Sequence, residues 1–332
     1  MTGRGRHPGR APARAMVLAP ALAGAACAAG LALCLLVHRP GFAGQAGPGF
    51  WAATAGLWLL ATLAASDLAA LEPRHPLARQ AVFLAVPALF GLLVLALWEL
   101  VTVGAGVPAV LMPPPSAIAV RFVQGGPTLA ADFVQTFVKA ALPGYALGNL
   151  TGLALAILAD RVPVLRRGVM PVANFASALP IVGVAPIMVM WFGFDWPSKA
   201  AVVALLTFFP MLVQASAGLA AAGRLERDLM RSYAAEYGQT LRLLRLPAAL
   251  PFLFTALKVN ATLALIGAIV AEFFGTPIVG MGFRISIEAA RLALDMVWAE
   301  IALAALAGSA FYGLVALAER ATTRRPPARR TA

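Results

Sequence analysis

Residues able to do chemistry are scarce in this chain, and the scarcity is the first constraint. Histidine occurs at His7, His38 and His75 only. Everything beyond residue 80 therefore lacks an imidazole for a Ser/His pair or a histidine-bound metal. Cys27 and Cys34 lie seven apart on one apolar run, a spacing that suits neither a disulfide framework nor a metal site. No GxxxxGK[ST] loop occurs, which excludes nucleotide binding of the P-loop kind. No catalytic residue, metal or cofactor is expected. What remains is a short set of polar side chains inside very apolar runs: Asn149, Asn174, Gln214, Asn260, Thr262 and Glu272. Polar groups there are costly and often line a path for solute, so Asn149, Gln214, Asn260 and Glu272 are the candidates for one. Glu272 in "IVAEFFG" and Glu99 in "LWELVTV" sit near the outer ends of their runs. There an interfacial or structural pairing is the competing role.

The elements that must position these groups follow from composition. The chain of 332 residues is 61% hydrophobic and 12% charged, against about 25% charged in soluble domains, which marks a membrane protein. Its net charge of +12 sits in short loops between apolar runs, without the basic-aromatic interleaving of a nucleic-acid surface, so no nucleic acid is expected. A crossing helix needs about 20 apolar residues. Eight spans are predicted, at 16–37, 50–71, 81–103, 134–159, 169–191, 200–222, 252–273 and 298–318. The first follows a basic leader like that of a signal peptide, but its apolar run is longer than a signal core.

Orientation comes from the basic residues. With the N-terminus inside, the inner loops and tails hold 19 Lys and Arg and the outer ones 5, so both termini are expected in the cytoplasm. Gly144, Gly148, Gly152 and Ala156 recur every four residues. Such a stripe serves close helix packing or a pore-lining seam.

One inner connection is long and charged: "AAGRLERDLMRSYAAEYGQTLRLLRLPAALP", residues 221–251. Leu225, Leu229, Tyr233 and Tyr237 fall at four-residue steps, with Arg227 and Arg231 in another row. The pattern predicts an amphipathic helix with Ala234 and Ala235 in its middle and Gly238 at its end. Pro247 and Pro251 are then expected to open the next span. Such a helix either rests on anionic membrane lipid or docks a cytoplasmic partner.

This segment resembles the EAA loop of ABC importer permeases, whose pattern runs Glu-Ala-Ala, three residues, Gly, nine residues, Ile, one residue, Leu-Pro. Anchored on Leu246-Pro247, that register puts Leu244 at the Ile position, Ala234 at the Gly position and Asp228 at the Glu position. Leu229 and Met230 replace the two alanines. Gly238 lies too near Pro247 to be the motif glycine. "LMPPPSAIAVRF" (111–122), "ALPIVGVAPIMVMWFGFDWPSKAAVVALLTFFPMLV" (178–213), "LPAALPFLFTALK" (246–258) and "AEFFGTPIVGMGF" (271–283) are similar to the sulfonate, nitrate and taurine class of these permeases.

The resemblance implies an all-α polytopic bundle whose six-span core covers 80–320, with the coupling loop at 223–247. Residues 1–79, a basic tail and two further spans, lie outside it, and 321–332 form a basic tail. It also implies a second permease subunit in a homodimer, a pair of cytoplasmic ATPases gripping the loop, and a periplasmic or extracellular solute-binding protein, all at a bacterial inner membrane. Asp228 would meet a basic residue of the ATPase, and Arg227 and Arg231 would either add contacts or stay solvated or against lipid. The solute would be a small nutrient: a sulfonate, nitrate or taurine-like anion, or a heterocycle such as a thiamine precursor or riboflavin. Two rival readings are an ion-coupled secondary carrier and a structural membrane protein whose loop is a lipid anchor.

Overall fold

The computed structural model describes residues 13–323 except 40, 43, 45, 72, 74 and 177–179; the side chains of 13–17, 163, 166, 170, 174, 176 and 181 lie outside it. The side chain of Asn174 and the tail residues 1–12 and 324–332 therefore fall outside the described parts. Every regular element among the described residues is helical. Among the described residues, seven helices are long and apolar enough to cross a membrane, each satisfying its own backbone groups as lipid requires.

By packing, the chain forms two units, Met1–Arg121 and Phe122–Ala332. The first holds α1 (Ala13–Val37), α2 (Pro48–Ala69) and α3 (Pro76–Gly104). They meet through Ala26, Leu57, Ala61, Leu93 and Leu100, and again through Ala19, Ala64, Leu68 and Leu89. Glu99 of α3 is buried. It accepts from the Ser116 backbone N–H at 2.9 Å and the Ser116 hydroxyl at 2.7 Å, and its Oε1 lies 3.0 Å from His38 Nε2. Its role is thus the structural pairing weighed for it above. A short helix, α4 (Pro115–Gln124), follows.

The second unit is built on α5 (Gly126–Arg161), α8 (Trp196–Ala220), α10 (Tyr237–Glu272) and α12 (Leu294–Thr323). Between them lie α6 (Pro163–Ala176), α7 (Ile181–Phe192), α9 (Arg224–Ser232) and α11 (Met281–Ala290). Helix α8 packs along both α5 and α10, and α12 along α10. The glycine stripe belongs to the α5–α8 contact. A Cβ on Gly144 would lie 2.5 Å from the Ala200 carbonyl oxygen, and one on Gly152 2.6 Å from that of Phe208. The stripe is a close helix crossing, not an open seam.

Three expectations are corrected in detail. The apolar run 169–191 is divided between α6 and α7, and Pro180 precedes α7 in extended backbone, φ −70° and ψ 120°. Proline lacks the N–H that a helix interior needs. Gly193, φ 82°, then ends α7 in a conformation that suits glycine. Second, Pro251 lies inside α10, and Pro247, in the first turn of the α-helical stretch Leu246–Glu272, continues a helix that begins at Tyr237. A π-helical stretch, Leu241–Arg245, runs up to the Leu246-Pro247 pair. Likewise Val134–Ala141 in α5 runs up to Leu142-Pro143. The wider turn accommodates the missing proline N–H, so the helix continues. The third correction concerns the charged connection.

Candidate functional site

That connection is two helices, not one. α9 ends at Ser232, and Ala234, expected in mid-helix, takes φ 51°. The Ala235 N–H donates to the Met230 carbonyl at 3.0 Å and the Ala234 N–H to that of Arg231 at 2.9 Å. This is the Schellman pattern, with alanine in the left-handed position usually taken by glycine. Glu236 then starts α10 with a capping box: its backbone N–H donates to Gln239 Oε1 at 2.9 Å, and its side chain caps in return. Gly238, expected to end a helix, lies in the first turn of the next one.

α9 stands exposed. Leu225, Leu229 and Tyr233 are 83%, 55% and 77% exposed. Asp228 is solvent-facing and pairs loosely with Arg231 at 3.5 Å, while Arg227 Nε donates to the Gly223 carbonyl at 3.3 Å. Arg224, Arg227, Asp228 and Arg231 line one shallow hollow. Asp228, Arg227, Arg231 and Ala234 are thus together, and Leu244, Leu246 and Pro247 lie on the first turns of α10.

The base of this connection is half-buried, and its Arg245–Asp160 pair was not singled out from sequence. Arg245 grips Asp160, at the end of α5, with Nη1 and Nη2 at 2.5 and 2.6 Å, and its Nε donates to the Leu219 carbonyl at 3.0 Å. Tyr237 Oη donates to the same carboxylate at 3.0 Å, and the Arg161 guanidinium lies over the Tyr237 ring at 5.8 Å. One arginine therefore joins the ends of α5 and α8 to the start of α10. The available signal was an acid, Asp160, closing one span and a basic residue opening another.

The path candidates separate into three places. Asn149 and Asn260 come together: Asn260 Nδ2 donates to Asn149 Oδ1 at 2.6 Å and to the Thr207 carbonyl at 2.8 Å, where α5, α8 and α10 meet. Both are buried, so they tie helices in this conformation. Gln214 is half-buried on α8. Glu272, 3% exposed, does not face water. It accepts from the Thr136 hydroxyl at 2.8 and 3.0 Å and from the Gly282 N–H at 2.7 Å.

This clamp belongs to a larger set. The chain turns back between α10 and α11, with Gly280 at φ 133°. Three successive amides are each taken by a side chain: Gly280 by Asp132 at 2.6 Å, Met281 by the Thr136 hydroxyl at 2.8 Å, and Gly282 by Glu272. Negative or acceptor groups at a helix start satisfy its free N–H groups and its dipole. Arg284 Nε donates to Asp132 at 2.9 Å. Nearby, Lys199 is 1% exposed and donates to the Phe194 carbonyl at 2.5 Å and Ser198 Oγ at 3.2 Å. Asp195 caps α8, and the Gln135 amide, then the Trp196 N–H, hold its carboxyl below the usual carboxylate range.

Comparison with known proteins agrees with this architecture. Residues 148–324 match the family described as binding-protein-dependent transport system inner membrane component. The formylaminopyrimidine transport permease protein ThiX of Halalkalibacterium halodurans is 33% identical over 189 residues, 57% of this chain and 75% of that protein. The riboflavin transport system permease protein RibX of Chloroflexus aurantiacus is 31% identical over 234 residues, 70% and 87% of the two chains. The taurine transport system permease protein TauC of Escherichia coli is 28% identical over 265 residues, 76% and 93%. With a family match across more than half its length and this helical bundle, the chain belongs to the binding-protein-dependent inner-membrane permeases of ABC transporters.

Proposed function

We propose that this chain is the membrane-spanning subunit of an ATP-driven importer. A solute-binding protein outside delivers the solute, two copies of the chain form the pathway, and a pair of cytoplasmic ATPases works it through residues 223–247. The observation that carries this reading is the shape of that segment. An exposed charged helix of 9 residues ends in a left-handed turn at Ala234, and the half-buried Arg245–Asp160 pair mounts it on the bundle. Ala234 is the residue that the motif register puts at the family's glycine position. Its left-handed backbone is the one glycine favours, which supports that register over one on Gly238. An exposed helix on a rigid base can pass a push from a bound partner into α5, α8 and α10.

Further features support the same reading. The charge asymmetry supports a cytoplasmic side for the loop and both termini. The absence of a P-loop motif from the sequence supports ATP chemistry on a separate chain. Relatives are named for formylaminopyrimidine, riboflavin and taurine transport, so the solute class is a small organic nutrient, a heterocycle or a sulfonate-like anion. The core then spans 80–320, and the two N-terminal spans are an addition to it.

The test is affinity purification of the tagged chain from its own cells, with ATPase activity measured in the eluate. Asp228→Lys and Ala234→Pro should each remove the co-purifying ATPase and leave membrane insertion intact. Full ATPase binding and uptake in both variants would overturn the assignment of the loop.

A further inference from the structure

Glu300, on α12, belongs to no bonded network described above. It is 0% exposed, no donor among the described residues reaches either carboxyl oxygen, and the Asp132 carboxyl is the group within hydrogen-bond reach of it. The charged groups facing it are Asp132 from α5, Arg284 from α11 and Glu272 from α10. Each of these has other partners. Arg284 gives its Nε to Asp132 at 2.9 Å, and its Nη1 lies 3.8 Å from Glu288. Glu272 is filled by Thr136 and the Gly282 N–H. Asp132, itself 0% exposed, also holds the Gly280 N–H. An ionised Glu300 would be a buried anion without a donor, beside an anion that already has its cation. That state is heavily penalised, whereas the neutral acid is tolerated.

We propose that Glu300 holds a proton in this conformation, and that releasing it frees the 273–283 turn from α5. The step is the breaking of the carboxyl O–H bond, with the proton passing to water. The new carboxylate then competes for Arg284, the cation that neutralises Asp132. Asp132 is the anchor of the Gly280 amide, so a charge gained on α12 loosens the start of α11. The site is a protonation switch between α12 and the turn, independent of which solute or partner the protein uses.

The full-length chain in lipid nanodiscs tests this, with Glu300→Gln as the neutral isostere. The infrared C=O stretch of a protonated carboxylic acid should be present in wild type and lost in E300Q, and E300Q should keep the wild-type melting temperature. On moving from mildly acidic to alkaline buffer, amide exchange across 273–283 should rise several-fold more in wild type than in E300Q. Identical infrared spectra, a markedly lower melting temperature of E300Q, or equal exchange in the two proteins at alkaline pH would each overturn the proposal.

Discussion

Arg245 holds Asp160 through both terminal nitrogens, at 2.5 and 2.6 Å, from the start of one long helix to the end of another. The side chains are only 14% and 11% exposed, so little water reaches either charge. The fork geometry matches a carboxylate and leaves Nε for the Leu219 carbonyl. Loss of either partner strands a mostly buried charge. Asp160→Asn and Arg245→Gln should each destabilise the protein by about 3 kcal/mol, read as a lower midpoint of unfolding in detergent. Arg245→Lys should recover little, because a point charge cannot make the bidentate pair and the Leu219 bond together.

The turn at Ala234 gives an opposite pair of expectations. An L-residue in the left-handed region costs about 1 kcal/mol, so Ala234→Gly should stabilise by about that amount. Gly238 lies in helix, and a Cβ added there would meet nothing within 4 Å. Gly238→Ala should therefore also stabilise, by about 1 kcal/mol. If the motif glycine position were Gly238 in a left-handed turn, that second variant would be destabilised instead. Thermal unfolding of the two variants separates the registers.

Much of this architecture is legible in the sequence. Long apolar runs bounded by arginines specify crossing helices, since a continuous run of about 20 residues satisfies its own backbone in lipid as a helix. The details that escape are those in which a residue departs from its type's habit. Ala234 occupies a glycine conformation, so a helix-favouring residue conceals a helix end. Leu246-Pro247 sits behind a π-helical stretch, so a proline that reads as opening a span lies within a longer helix. Partnership is less legible still. Glu272 and Asn260 stand out as polar in oil, but their composition and spacing do not say that Thr136 and Asn149, far away in sequence, meet them.

The glycine stripe yields a packing test. A Cβ on Gly152 would lie 2.6 Å from the Phe208 carbonyl oxygen and 3.1 Å from Met211 Cβ. Neither is the free end of a flexible chain, so the α5–α8 crossing must widen to admit a methyl group. Gly152→Ala should cost about 2 kcal/mol. Gly168→Ala, in α6 with nothing within 4 Å, should show no such loss. A melting temperature for G152A equal to that of wild type would mean that the two helices are not in this close contact in the membrane.

Thr136 carries two buried bonds through one oxygen. Its hydroxyl donates to Glu272 at 2.8 Å and accepts from the Met281 N–H at 2.8 Å, and it is 0% exposed. Thr136→Val keeps the shape and removes both bonds. The Met281 amide then loses its acceptor, and Glu272 keeps only the Gly282 N–H among these donors. Leaving buried groups unsatisfied costs more than the bonds themselves contribute, about 2 kcal/mol here. Thr136→Ser restores the hydroxyl without the methyl and should recover most of the loss. A valine variant as stable as wild type, with unchanged amide exchange across 280–282, would show that the hydroxyl is not what fastens this turn to α5.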